Sequence, residues 1–153
     1  MHITEDPITL IEVKNDLRNL ALLMGGRWGP QNCKPKFKTA IIVPFLAKES
    51  RKHHLPIFLR HMHQFLSHQL LEYGIYIVEP ATLPFKKGVL YNAGFKEALK
   101  ENDWDCFFFM DIDMLPENEN NIFECNVTHP ANLAWLRSDK NYKYAFFYLG
   151  FGD

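Results

Sequence analysis

The sequence predicts an α/β protein whose strands form a parallel sheet. Three observations carry this. Short β-branched or aromatic runs alternate with longer segments of helical apolar spacing, giving the order β-α-β-α-β. The strand runs are almost continuously apolar, as strands covered on both faces require. The segments between them are long enough for the crossover helices that parallel strands need.

Residues 7–24, "PITLIEVKNDLRNLALLM", place apolar side chains near helical spacing after Asp6-Pro7. This predicts a first helix with Asp6 as N-cap and Pro7 at the first helical position. "GGRWGPQNCKPK" ends it with glycine and proline. Thr39–Phe45, "TAIIVPF", reads as a first buried strand. Leu55, Phe58, Leu59, Met62, Phe65, Leu66, Leu70 and Tyr73 then step by three and four, which predicts one helical stripe stopped by Gly74. Ile75–Pro80 is the second strand. Gly88–Asn102 forms a helix that Asn92 and Gly94 weaken. Asp105–Asp113, "DCFFFMDID", is the third strand, and Tyr142–Phe151 is a further strand candidate.

The chain has 153 residues, which suggests one core, divided as a lead-in over 1–32 and a main unit over 33–153. Apolar residues make up 47% and charged residues 23%, with 13 Phe, so the expectation is a globular, aromatic-rich core. A net charge of −1 gives no electrostatic case for a nucleic-acid partner. No apolar run reaches the roughly 18 residues of a membrane span, and the acidic N-terminus does not read as a signal peptide. The three cysteines, Cys33, Cys106 and Cys125, include no C-x-x-C pair. Asn126-Val127-Thr128 is a glycosylation sequon at Asn126.

The chemistry centres on Asp111 and Asp113. In a strand, residues i and i+2 face the same side, so both carboxylates would emerge at the carboxyl end of the sheet, where ligands bind in such folds. A hard divalent cation would satisfy that charge. The simpler reading is a strand-end turn with Asp113 as a cap and Asp111 in solvent. His54, His61 and His68 read as partly solvated edges of the long helix. Phe107, Phe108 and Phe109 read as core, Trp104 as packing, and Lys34, Lys36 and Lys38 as a solvated edge.

Several motifs also occur in one order: "GGRW", "AIIVPF", "HLPIFLRH", "IYIVE", "PFKKGVLYNAGF", "DWDCFFFMDIDMLPE" and a following Cys. Over about Gly25 to Cys125 this resembles the β-1,4-galactosyltransferase family, closest in look to its lactosylceramide-synthase-like branch. The resemblance implies a GT-A fold, a Rossmann-like nucleotide-sugar-binding sheet. It implies inverting, Mn²⁺-dependent transfer of galactose from UDP-galactose to a GlcNAc- or glucose-terminated glycoprotein or glycolipid, in the Golgi.

By resemblance, Asp113 is the metal ligand, and Asp111 and Ile112 face the sugar nucleotide. Phe85 contacts the uridine, Lys86 and Lys87 stand where the family has Asn and Arg, and Lys140 lies near the diphosphate. Pro44 and Phe45 match the end of the family's first strand, where Leu46 and Lys48 replace two arginines. Lysine cannot reproduce the bidentate fork of arginine, so weaker donor binding is expected. Cys106 and Cys125 form the family's internal disulfide, and Cys33 matches a cysteine paired upstream. The tryptophan-rich acidic segment that supplies the family's acceptor site and base does not occur up to Asp153. Two functions are therefore expected: a galactosyltransferase donor half of low activity, or a silent domain that binds nucleotide sugars or proteins.

Overall fold

A computed structural model describes residues 6–125. Its regular elements are α1 (Leu10–Asp16), β1 (Lys38–Pro44), α2 (His54–Ser67), β2 (Glu72–Val78), α3 (Lys87–Glu101) and β3 (Cys106–Phe109). The strands form one parallel sheet in the order β2-β1-β3. The β-α-β-α-β order predicted from the sequence is thus present, with β1 at the centre.

The central strand shows why both faces must be covered. Ile41 and Val43 point to one face and join Phe58, Met62, Phe65 and Leu66 of α2 in the larger core cluster. Ala40 and Ile42 point to the other and pack with Ala98 of α3 and with Trp104. Period-two alternation sorts one strand into two cores. Trp104 has the packing role expected of it, since it is buried and its indole N–H lies 3.1 Å from the Ala98 carbonyl.

The first helix is shorter than expected. Thr9, not Asp6, is its N-cap, in a capping box with Glu12. The box satisfies two backbone donors that Asp6 cannot reach from its place before Pro7. After Asp16 the chain tightens into a 3₁₀ turn at Arg18–Leu20, so the stripe expected up to residue 24 is not one helix.

The long helix also ends earlier than its apolar stripe. It stops at Ser67, and Leu70 adopts a left-handed conformation with φ of 55°. Gly74 does not stop it. Gly74 and Tyr73 lie within β2, and Tyr73 is fully buried. A tyrosine at helical spacing on one side of a turn was indistinguishable from a strand residue, because both periods place an apolar side chain there.

The third strand is only four residues long, so Asp111 and Asp113 lie beyond it and not at its final i and i+2 positions. Phe109 ends this edge strand 52% exposed, which corrects its assignment to the core. His61 is corrected in the opposite sense, and His63 beside it follows. Both are buried, because Pro116 and Tyr73 close over the helix flank and accept or share their ring hydrogen bonds. The expected Cys106–Cys125 disulfide is present, and Cys33 is exposed with a free thiol. Lys140, Asn126 and the strand candidate Tyr142–Phe151 lie outside the described residues.

Candidate functional site: the carboxyl ends of β1 and β3

In sheets of order 2-1-3, the crevice between the first and third strands is a topological switch point, and ligands bind at the carboxyl ends there. In this chain β1 ends at Pro44, and β3 runs into Met110, whose N–H donates to the Ile42 carbonyl. The next residues form a tight turn. The Met114 N–H donates to the Asp111 carbonyl over 3.0 Å. Ile112 is 5% exposed and sits in the α2-side core. Burial of Ile112 pins the turn, so the two aspartates flanking it are presented at the surface.

Asp111 is held by two side chains of α3. The Lys87 ammonium lies 2.6 Å from Oδ2 and 2.5 Å from Oδ1. The Tyr91 hydroxyl donates to Oδ1 over 3.1 Å. Lys87 is the first residue of α3 and Tyr91 lies four residues on, one helical turn away, which puts both on one face. The Tyr91 ring packs edge-on against Phe109, with centroids 5.1 Å apart. Burial first, and then the negative charge of Asp111, push the Tyr91 hydroxyl far above its ordinary value, so it stays a donor.

Asp113 is exposed in the same turn. Its charge is felt by Tyr91 and also by His54, the first residue of α2. Burial of His54 lowers its imidazole, as does neighbouring His53, while Asp113 acts in the opposite sense. The His54 Nδ1 is buried with no hydrogen-bond partner among the described residues.

The other expected site residues are placed less directly. Pro44 and Phe45 are buried, with Phe45 in the α2-side core and its N–H bonded to the Val78 carbonyl. Phe85 is half-buried just before α3. Lys86 and Lys48 are exposed and form no ion pair with either aspartate among the described residues. The structure therefore joins Lys87 to Asp111 and sets Ile112 and Asp113 beside them. Tyr91 and His54 were missed, since a lone Tyr or His on a helix carries no spacing signal. A separate groove of about 320 Å³ between α1 and the end of α2, lined in part by Asp16, Gln64 and His68, opens at the opposite end of the sheet.

The described residues contain no cluster of three His, Cys, Asp or Glu that could hold a metal ion alone. Asp113 is a hard oxygen ligand, which suits Mn²⁺ when a ligand's phosphate oxygens complete the shell. The donor chemistry fits a cation shared with a diphosphate.

A parallel 2-1-3 sheet with an acidic turn at its switch point defines an α/β fold of the open, ligand-binding kind. The family profile of the N-terminal region of glycosyl transferase group 7 matches residues 1–126, and the chain belongs to this family of β-1,4-galactosyltransferases. It is 47% identical over 102 residues to rat β-1,4-galactosyltransferase 6, covering 66% of this chain and 26% of that protein. It is 44% identical over 118 residues to human β-1,4-galactosyltransferase 3, covering 76% of this chain and 29% of that protein. The fold matches a Drosophila β-1,4-galactosyltransferase 7 crystallised with manganese, UDP-Gal and xylobiose. The TM-score is 0.52 at 28% identity, over 60% of this chain and 37% of that one. The chain thus spans between a quarter and a third of the length of these curated relatives.

Proposed function

We propose that this chain forms the donor-binding side of a β-1,4-galactosyltransferase, whose reaction passes galactose from UDP-galactose to a sugar hydroxyl of a glycoprotein or glycolipid with inversion. The observation that carries this is the Lys87–Asp111 pair beside the exposed Asp113, all at the β1/β3 switch point. In this reading Lys87 meets the diphosphate as a point charge. Phe85, with Pro44 and Phe45 at the strand end, bounds the uridine side. Lys48 and Lys86 add positive charge nearby. Asp113 holds Mn²⁺ jointly with the diphosphate, and a bound cation stabilises that diphosphate as a leaving group. Asp111 accepts a hydroxyl of the ribose or galactose.

Titration calorimetry with UDP, with and without MnCl₂, tests the reading. Binding should require Mn²⁺ and should fall at least ten-fold in Asp113→Asn. Mn²⁺-independent binding that survives Asp113→Asn would refute the assignment. Turnover of UDP-galactose with a GlcNAc or glucose acceptor separates a transferase from the alternative, a domain that binds nucleotide sugars or proteins without reaction.

A further inference from the structure

We infer that Tyr91 is a positioning residue that holds the Asp111 carboxylate in place when a diphosphate draws Lys87 away. The inference rests on the donor-site reading above. The ammonium of Lys87 bridges both oxygens of Asp111, at 2.5 and 2.6 Å, while Tyr91 bonds Oδ1 alone, at 3.1 Å. Both members of the ion pair are close to half exposed, with side chains 48% and 40% accessible. A pair so open to water is weak, of the order of a surface salt bridge, and a more highly charged anion can displace its acid. A diphosphate is such an anion. It would compete with Asp111 for Lys87, the one cation that Asp111 contacts among the described residues.

The consequence depends on geometry. Once Lys87 turns to phosphate, Oδ2 loses its donor and is free to accept a hydroxyl of the donor's sugar. Oδ1 keeps the Tyr91 hydroxyl. Tyr91 can serve as an anchor because it does not move with Lys87. Its ring is half-buried against the α3-side core and stands edge-on to Phe109. The Lys87 ammonium lies over the face of that ring, 5.8 Å from its centroid, a weak contact at so exposed a site and no match for a diphosphate. Asp111 therefore acts twice: it occupies Lys87 in the empty site, and it receives the sugar in the filled one.

The test compares UDP with UDP-galactose, each with MnCl₂, on the whole chain. Tyr91→Phe keeps the ring and removes only the hydroxyl. We expect its preference for UDP-galactose over UDP to fall roughly five-fold, the order of one typical hydrogen bond. Asp111→Asn should bind UDP several-fold more tightly than the unaltered protein, because Lys87 is no longer occupied, and should lose the same preference. A merely structural role for Tyr91 would lower the melting temperature and leave the ratio of the two affinities unchanged. An unchanged ratio in Tyr91→Phe, or weaker UDP binding in Asp111→Asn, overturns the inference while the donor-site reading stands. If the unaltered chain binds no UDP with Mn²⁺, both fall together.

Discussion

Gly94 of α3 lies against Ile42 of β1 so closely that a Cβ at residue 94 would stand 2.5 Å from the Ile42 Cγ2 and 2.7 Å from the Val78 Cγ2. On sequence grounds this glycine only weakens a helix. In the fold it sets the distance between α3 and the sheet, and so the place of Lys87 and Tyr91 over Asp111.

Gly94→Ala should therefore destabilise the protein. Helix propensity alone favours alanine by about 1 kcal/mol. Overpacking a tight core costs about 1–3 kcal/mol and more where backbone must shift. The atoms met here belong to β-branched side chains, Ile42 within β1 and Val78 at the end of β2, which have little room to turn. Net destabilisation of about 1–2 kcal/mol should appear in urea unfolding, and a more stable variant would show that α3 does not seat as described.

Stability should fall as pH drops below neutrality. Burial lowers the His63 imidazole from its ordinary 6.5 to about 4. Its Nδ1 lies 2.9 Å from the Tyr73 hydroxyl, and that hydroxyl also donates to the His63 carbonyl over 3.3 Å. The unfolded chain takes up the proton first as pH falls, so stability is full above about pH 6.5 and is lost progressively toward pH 4. The loss is about 3 kcal/mol from this group. His61 is lowered by burial too, and acts in the same direction. Unfolding at a series of pH values should show this slope, and His63→Leu should flatten it. An equal slope in the variant would assign the effect to other groups.

Reducing the Cys106–Cys125 bond should cost about 3 kcal/mol, the chain-entropy value for so short a loop. The loop it closes carries Asp111, Ile112 and Asp113, so reduction should also weaken Mn²⁺-dependent UDP binding. Melting curves and calorimetry with and without dithiothreitol check both effects. Equal melting temperatures would show that Ile112, Phe123 and the Thr39–Phe123 hydrogen bond hold the loop unaided.

The readable parts were those with a repeating pattern. Ile41 to Val43 announced a buried strand, and Phe58, Met62, Phe65 and Leu66 announced the helix that covers it, because alternation and helical spacing are periodic. Motif order added the disulfide. Element ends were read less well. Thr9 displaced Asp6 as the cap, and Tyr73 was counted on a helix that had already turned at Leu70, since hydrogen bonding and backbone angle decide such ends.

The sequence by itself determined the parallel α/β order, the aspartate pair that follows its third apolar run, and the family to which both belong. Each follows from residue type and spacing along the chain. Only the tertiary structure decided that Asp111 is met by Lys87 and Tyr91, that Ile112 anchors the turn between the aspartates, and that His63 is enclosed by Tyr73. These contacts join residues from different elements, and the energy of such a contact depends on distance and burial, which arise only when the sheet and its helices have packed.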